Sequence, residues 1–114
     1  MSTTTKSRRV TRRDAHEAVA LKQNFKYNES AHGEWTSGTI LTSQWNTADE
    51  KKEIEAHVAS ALESFVVYSY QTPIAVWNLH NGWWTTDRFF TRTTSTHQGF
   101  VRRGINVYPG RGQS

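Results

Sequence analysis

The dipeptide Asn81-Gly82, in the stretch "HNGWW", constrains this chain more than any other feature. An Asn-Gly pair supplies the two positive-φ residues of a type I′ turn, whose twist matches that of the strands it joins. Residues 74–79 and 83–86 on either side are rich in β-branched and aromatic side chains, which fit a pleated surface. The pair therefore predicts a β-hairpin. Just upstream, "SFVVYSYQTPIAVW" reads as further sheet. Pro73 has no N–H for a ladder, so it predicts a bulge, an edge, or a break between two strands near Thr72. Phe25, Tyr27 and Trp35 predict one or two short strands earlier, punctuated by Gly33 and Gly38.

Three helices are expected beside the sheet. Thr11 with Asp14 has capping-box spacing, and Ala15, Ala18 and Val19 repeat at i, i+3, i+4, which predicts a helix over 12–22. Thr47 with Glu50 is a second capping box, and Asp49, Glu50 and Glu53 place negative charge where the helix dipole favours it. Ile54, Val58, Ala61, Leu62 and Phe65 then form one apolar stripe, predicting a helix over 47–63. Ser95 with Gln98 gives a third box. His97, Phe100, Val101, Gly104 and Ile105 share one face, so the third helix is expected over 96–105. Together these elements predict an α+β fold: a small antiparallel sheet of three to four strands, with about three short helices packed on one face.

With 114 residues the chain fits one domain. Residues 1–10, rich in Ser, Thr and Arg, are expected to be a disordered basic arm, 11–108 the folded domain, and 109–114 a flexible tail. Only 35% of residues are hydrophobic, but 12% are aromatic, so large rings compensate for a small aliphatic core. The absence of cysteine removes disulfides and thiolate zinc sites. No apolar run approaches the roughly 20 residues of a membrane span, and the basic N-terminus lacks the apolar stretch of a secretory signal. The expectation is a soluble intracellular protein with no membrane partner.

Charge is unevenly placed. Residues 1–13 hold Lys6, Arg8, Arg9, Arg12 and Arg13 with no acid, while residues 14–63 hold nine acids against four lysines. From residue 64 onward, five arginines face Asp87 alone. Basic ends around an acidic middle point to an anionic partner or to self-association between unlike faces, with solvated surface charge as the plainer reading. A nucleic-acid or anion surface would draw on Arg8, Arg9, Arg12, Arg13, Arg88, Arg92, Arg102 and Arg103. Thr94 and Ser95 would add hydroxyls at the start of the third helix, where free N–H groups favour anions. Capping alone explains those hydroxyls more directly, because Ser and Thr are the residues caps prefer. Trp77, Trp83, Trp84 and Tyr70 would stack bases or anchor a protein interface. Alternation along the strand keeps Trp83 and Trp84 from sharing one face, so one of them is expected to be exposed or covered by a helix or another subunit.

Catalysis finds little support. His97, in phase with Phe100 and Val101, reads as a packed, hydrogen-bonded imidazole rather than a general base. His16, His32, His57, His80 and His97 form no metal-ligand spacing, and no phosphate loop or nucleophile elbow is present. No cofactor is expected. The acids of the second helix read as capping and solvated charge.

Tyr68, Ser69, Tyr70, Thr72, Pro73, Ile74 and Ala75, followed by Thr93, Thr94, Ser95, His97 and Gln98, spell Y-S-Y-x-T-P-I-A … T-T-S-x-H-Q. This pattern resembles a small domain in uncharacterised proteins of bacteriophages, especially those of actinobacteria; Gln71 departs from the small residue expected at its position. The match covers the last third to half of the chain. The resemblance implies a phage-encoded, non-virion accessory protein acting in the host cytoplasm, and it brings no activity with it. The expectation is a non-catalytic binding module. Nucleic acid, held by the arm and the third helix, is slightly favoured over a host protein, and a homodimer is a further option for the aromatic surface.

Overall fold

The computed structural model describes residues 8–59, 61–86 and 92–107. In chain order these form β1 (Arg8–Arg9), α1 (Arg12–Leu21), β2 (Phe25–Tyr27), β3 (Ala31–Ser37) and α2 (Ala48–Val58). β4 (Glu63–Ser69), β5 (Thr72–Asn78), β6 (Gly82–Thr85) and α3 (Arg92–Val107) follow. The fold is α+β, and the sheet is larger than expected. Its strand order β1-β2-β3-β4-β5-β6 repeats the order of the sequence. Every pair is antiparallel except the short β1, which lies parallel to β2. Order therefore begins inside the segment expected to be a free arm. Backbone pairing needs no apolar side chains, so two arginines extend the edge, and the Val10 N–H continues it by donating to the Lys26 carbonyl at 2.9 Å. Residues 1–7 and the expected tail 109–114 lie outside the described residues.

Helices cover both faces of the sheet, not one. On the first face, Phe25, Phe65, Val67, Ile74 and Ala75 pack against Ala15, Ala18 and Val19 of α1 and Phe100 and Val101 of α3. On the second, Val66 and Val76 pack against Ile54 and Val58 of α2 and Ile40 of the loop before it. β4 and β5 are buried on both sides, which is why they read as unbroken apolar runs rather than alternating ones. The bulge expected near Pro73 is present. Val67 opposes Ala75 and Tyr68 opposes Pro73, leaving Ile74 as the extra residue, so Ile74 and Ala75 both reach the first core.

Two helix boundaries differ from expectation. α2 keeps its capping box, with the Glu50 N–H donating to Thr47 Oγ1 at 3.0 Å, but it ends at Val58. Leu62 is 88% exposed and Phe65 belongs to β4, because the β-branched run that begins there wins the segment for the sheet. α3 begins at Arg92, so Ser95 stands in its fourth position and does not cap it. The buried face of α3 outweighs the weak helix propensity of its Thr and Ser residues.

The hairpin is formed, but not with a type I′ turn. Gly82 alone in this turn takes positive φ, at 71°, and Asn78 pairs with Gly82 across Leu79, His80 and Asn81. The turn is instead latched to α2. Asn78 and Asn81 each donate a side-chain N–H to the His57 carbonyl at 2.8 Å, and the His57 ring donates to the Gly82 carbonyl at 2.9 Å. These bonds satisfy the open C-terminal turn of α2, a role no isolated turn motif predicts.

Candidate functional site

Strand register sorts the aromatic residues into two sets. On the first face Trp35, Phe65, Trp77 and Trp83 lie directly opposite one another across β3, β4, β5 and β6. Trp35 meets Trp77 edge-on at 6.0 Å and also donates its indole N–H to the Lys22 carbonyl at 2.8 Å. The Lys22 ammonium caps this row, 4.5 Å from the Trp77 ring centre and 5.9 Å from that of Trp83. Trp84 points to the other face and donates to Glu53 of α2 at 2.9 Å. Trp77, Trp83 and Trp84, expected as stacking or interface residues, are thus half-buried and engaged by the protein itself. Trp35 and Trp45 are the exposed tryptophans, at 38% and 53%.

Trp45 belongs to a groove of about 990 Å³ on the second face, where α2 leaves β3 and β4 uncovered. Its floor is the His32–Tyr68 pair, stacked with ring centres 4.6 Å apart and planes 13° from parallel. Glu34, two residues along β3, stands beside them. The loop 38–46 forms one wall, carrying Leu41 and Trp45, and Tyr70 and Glu29 close the end. Ile40 anchors that loop in the core, Ser43 bonds Thr72 at 2.6 Å, and Asn46 donates to the Pro73 carbonyl at 3.3 Å. Asn46 also donates to Glu50, whose other oxygen accepts from the Thr86 hydroxyl, so Glu50 is the capping acid expected and, beyond that, a buried network residue.

The groove is electrically mild. Burial pushes the His32 pKa below its ordinary value, with Glu34 opposing and Lys26 adding to the fall. Burial, reinforced by Glu34, pushes the Tyr68 hydroxyl up to about 12. Both rings are neutral near pH 7, and the formal charges lining the groove are the carboxylates Glu29 and Glu34. At the rim, Arg9 meets Glu29 at 3.5 Å with both side chains exposed.

His97 lies behind the closed end of the groove. It is fully buried, bonded through Nδ1 to Ser69 Oγ at 2.7 Å and through Nε2 to Ser30 Oγ at 3.0 Å. Burial lowers its pKa to about 4. This is the packed, hydrogen-bonded imidazole expected. It holds Tyr70, whose ring centre is 6.1 Å away, and the Tyr70 N–H donates to the Ser30 carbonyl at 2.6 Å. Two parts of the sequence pattern, Y-S-Y and H-Q, therefore meet at Ser69 and His97.

The expected basic surface is less gathered. Arg9, Arg102 and Arg103 are exposed, the latter two on α3 and so behind the sheet from the groove. Arg8 sits in β1; Arg12 begins α1, followed by Arg13; Arg92, Thr94 and Ser95 lie in the first turns of α3. Arg88 falls outside the described residues. The free N–H groups at the start of α3 precede Ser95, so they do not fall at the residue around which the anion site was expected. Trp45 and the groove were not anticipated from sequence. Their signal was weak: Ile40, Leu41 and Trp45 in a polar loop with no periodicity to bury them.

Compared with known proteins, the chain matches at residues 14–103 the model of a family described as of unknown function. No curated protein and no solved structure matches.

Proposed function

The chain belongs to that family, DUF8033, and we propose from its own surface that it is a binding module whose groove takes a partner protein. One observation carries this reading. Leu41, Trp45 and Tyr70 are 80%, 53% and 54% exposed and line the same groove. Apolar groups gathered in the open mark interaction sites, and Trp and Tyr are the residues on which interface energy concentrates. The enclosure of His97, with both ring nitrogens engaged, favours binding over acid–base catalysis. The likeness of Y-S-Y-x-T-P-I-A and T-T-S-x-H-Q to phage domains supplies the setting: a phage-encoded accessory protein, outside the virion, that engages a component of the host cytoplasm.

Nucleic acid is the second reading, supported by exposed Arg102 and Arg103 on α3 and by the basic N-terminal residues. Phosphates would avoid the carboxylate-lined groove, so the second reading centres on the Arg102–Arg103 surface of α3, across the sheet from it. Affinity capture from an actinobacterial lysate, with and without nuclease and at two salt concentrations, separates them. The protein-partner reading expects a host protein retained through nuclease and high salt, and lost in Trp45→Ala and Tyr70→Ala. Recovery of nucleic acid at low salt alone, unaffected by Trp45→Ala but weakened by Arg102→Ala with Arg103→Ala, would replace it with the second.

A further inference from the structure

Resting on the protein-partner reading, we infer that the groove receives an arginine-bearing segment of that partner, with its guanidinium seated between Glu34 and the stacked His32–Tyr68 rings. The argument is one of complementarity. The protein has a net charge of +4, yet among the described residues the groove lining contains two carboxylates and no lysine or arginine. Glu34 is half-buried and has no ion pair among the described residues, so a cation arriving there meets a carboxylate without a charged partner. Beside it the flat Tyr68 and His32 rings and the exposed Trp45 and Tyr70 side chains suit a planar cation, which stacks on rings while its edge bonds a carboxylate in two places. A compact ammonium cannot do both. The rim already illustrates the match, since Arg9 approaches Glu29 there. Lys26, opposite His32 on β2, is an opposing charge beside the groove. It acts on His32 from the neighbouring strand and limits the attraction without reversing it.

The test is titration of the full chain with a capped pentapeptide, acetyl-Gly-Leu-Arg-Leu-Gly-amide, followed by two-dimensional NMR. The same peptide with citrulline, neutral but of arginine's shape, is the control. Expected are shifts at the Trp45 indole and around Glu34, Tyr68 and Tyr70, with affinity about tenfold lower for the citrulline peptide and for Glu34→Gln, the scale of one charge-assisted hydrogen bond. Lys26→Gln should strengthen binding, a check independent of any effect of Glu34→Gln on folding. Equal affinity for arginine and citrulline peptides, both lost in Trp45→Ala, would overturn the inference and leave the protein-partner reading standing. Shifts outside the groove, or the same residues shifted by a thymidine oligonucleotide instead, would overturn both.

Discussion

Tyr70 holds a backbone conformation that its own side chain makes costly. Its φ is 59°, at the first position of the two-residue turn between Ser69 and Thr72, where glycine is the usual occupant. A non-glycine residue there costs on the order of 1–3 kcal/mol, and such strain gathers where a side chain is needed. The cost and the ring can be separated. Tyr70→Gly and Tyr70→Ala both remove the ring, but only glycine relieves the backbone, so the glycine variant should be the more stable by about 1 kcal/mol in urea denaturation. Both should lose partner capture equally. His97 gives a second prediction at this scale. Its pKa falls from the ordinary 6.5 to about 4, so between those values the unfolded chain binds the proton and the folded chain does not. Its contribution to stability is whole above pH 6.5 and drains away as the pH falls toward 4. The His97 ring signals should therefore stay unprotonated in NMR where an ordinary histidine titrates. Lys22 behaves differently: burial lowers its pKa, while the Trp77 and Trp83 faces favour the ammonium. Lys22→Met should cost about 0.5–2 kcal/mol of unfolding free energy.

Among the elements, α3 offers the sharpest contrast. A Cβ on Gly104 would meet the His16 carbonyl and come within 3.1 Å of the Val19 side chain, because α1 and α3 approach closely there. A Cβ on Gly99 would meet nothing. The same substitution in one helix should then have opposite signs. Gly104→Ala should destabilise by about 1–3 kcal/mol through overpacking, and Gly99→Ala should stabilise by about 0.5–1 kcal/mol through helix propensity. Thermal melts of the two variants decide it. The elements also show what a sequence can and cannot announce. Local chemistry marked Thr11, Thr47, Pro73 and the hairpin, and all four features are present. What local pattern missed was competition. Phe65 satisfied the periodicity of α2 and the composition of β4, and only strand pairing chose between them. Ser95 satisfied a capping box, but the helix starts a turn earlier because its apolar face is already committed to α1 and the sheet. The groove was less legible still. It arises where α2 stops short of β3, and that is a matter of placement rather than of any motif.

At the scale of the molecule, α1 and α3 close most of one face of the sheet, leaving Trp35 exposed, while α2 and the loop 38–46 close part of the other. The open remainder is the groove, so the proposed protein contact lies on one face and the Arg102–Arg103 surface on the opposite one. The strand order bears on how the protein is made. Because neighbours in the sheet are neighbours in the chain, each strand from β2 to β6 finds its predecessor already outside the ribosome, with no gap to be held for a later arrival. A nascent chain that has emerged as far as Thr86 already has its six strands, both of its earlier helices and every residue of the groove. Of the described elements it lacks α3, and until that helix follows, Phe25, Phe65 and Ile74 are only partly covered. Translation sets the length of this exposure at seconds. A ribosome that stalled after β6 would therefore display a sticky, half-roofed sheet, the species on which a trigger-type chaperone or a protease would act.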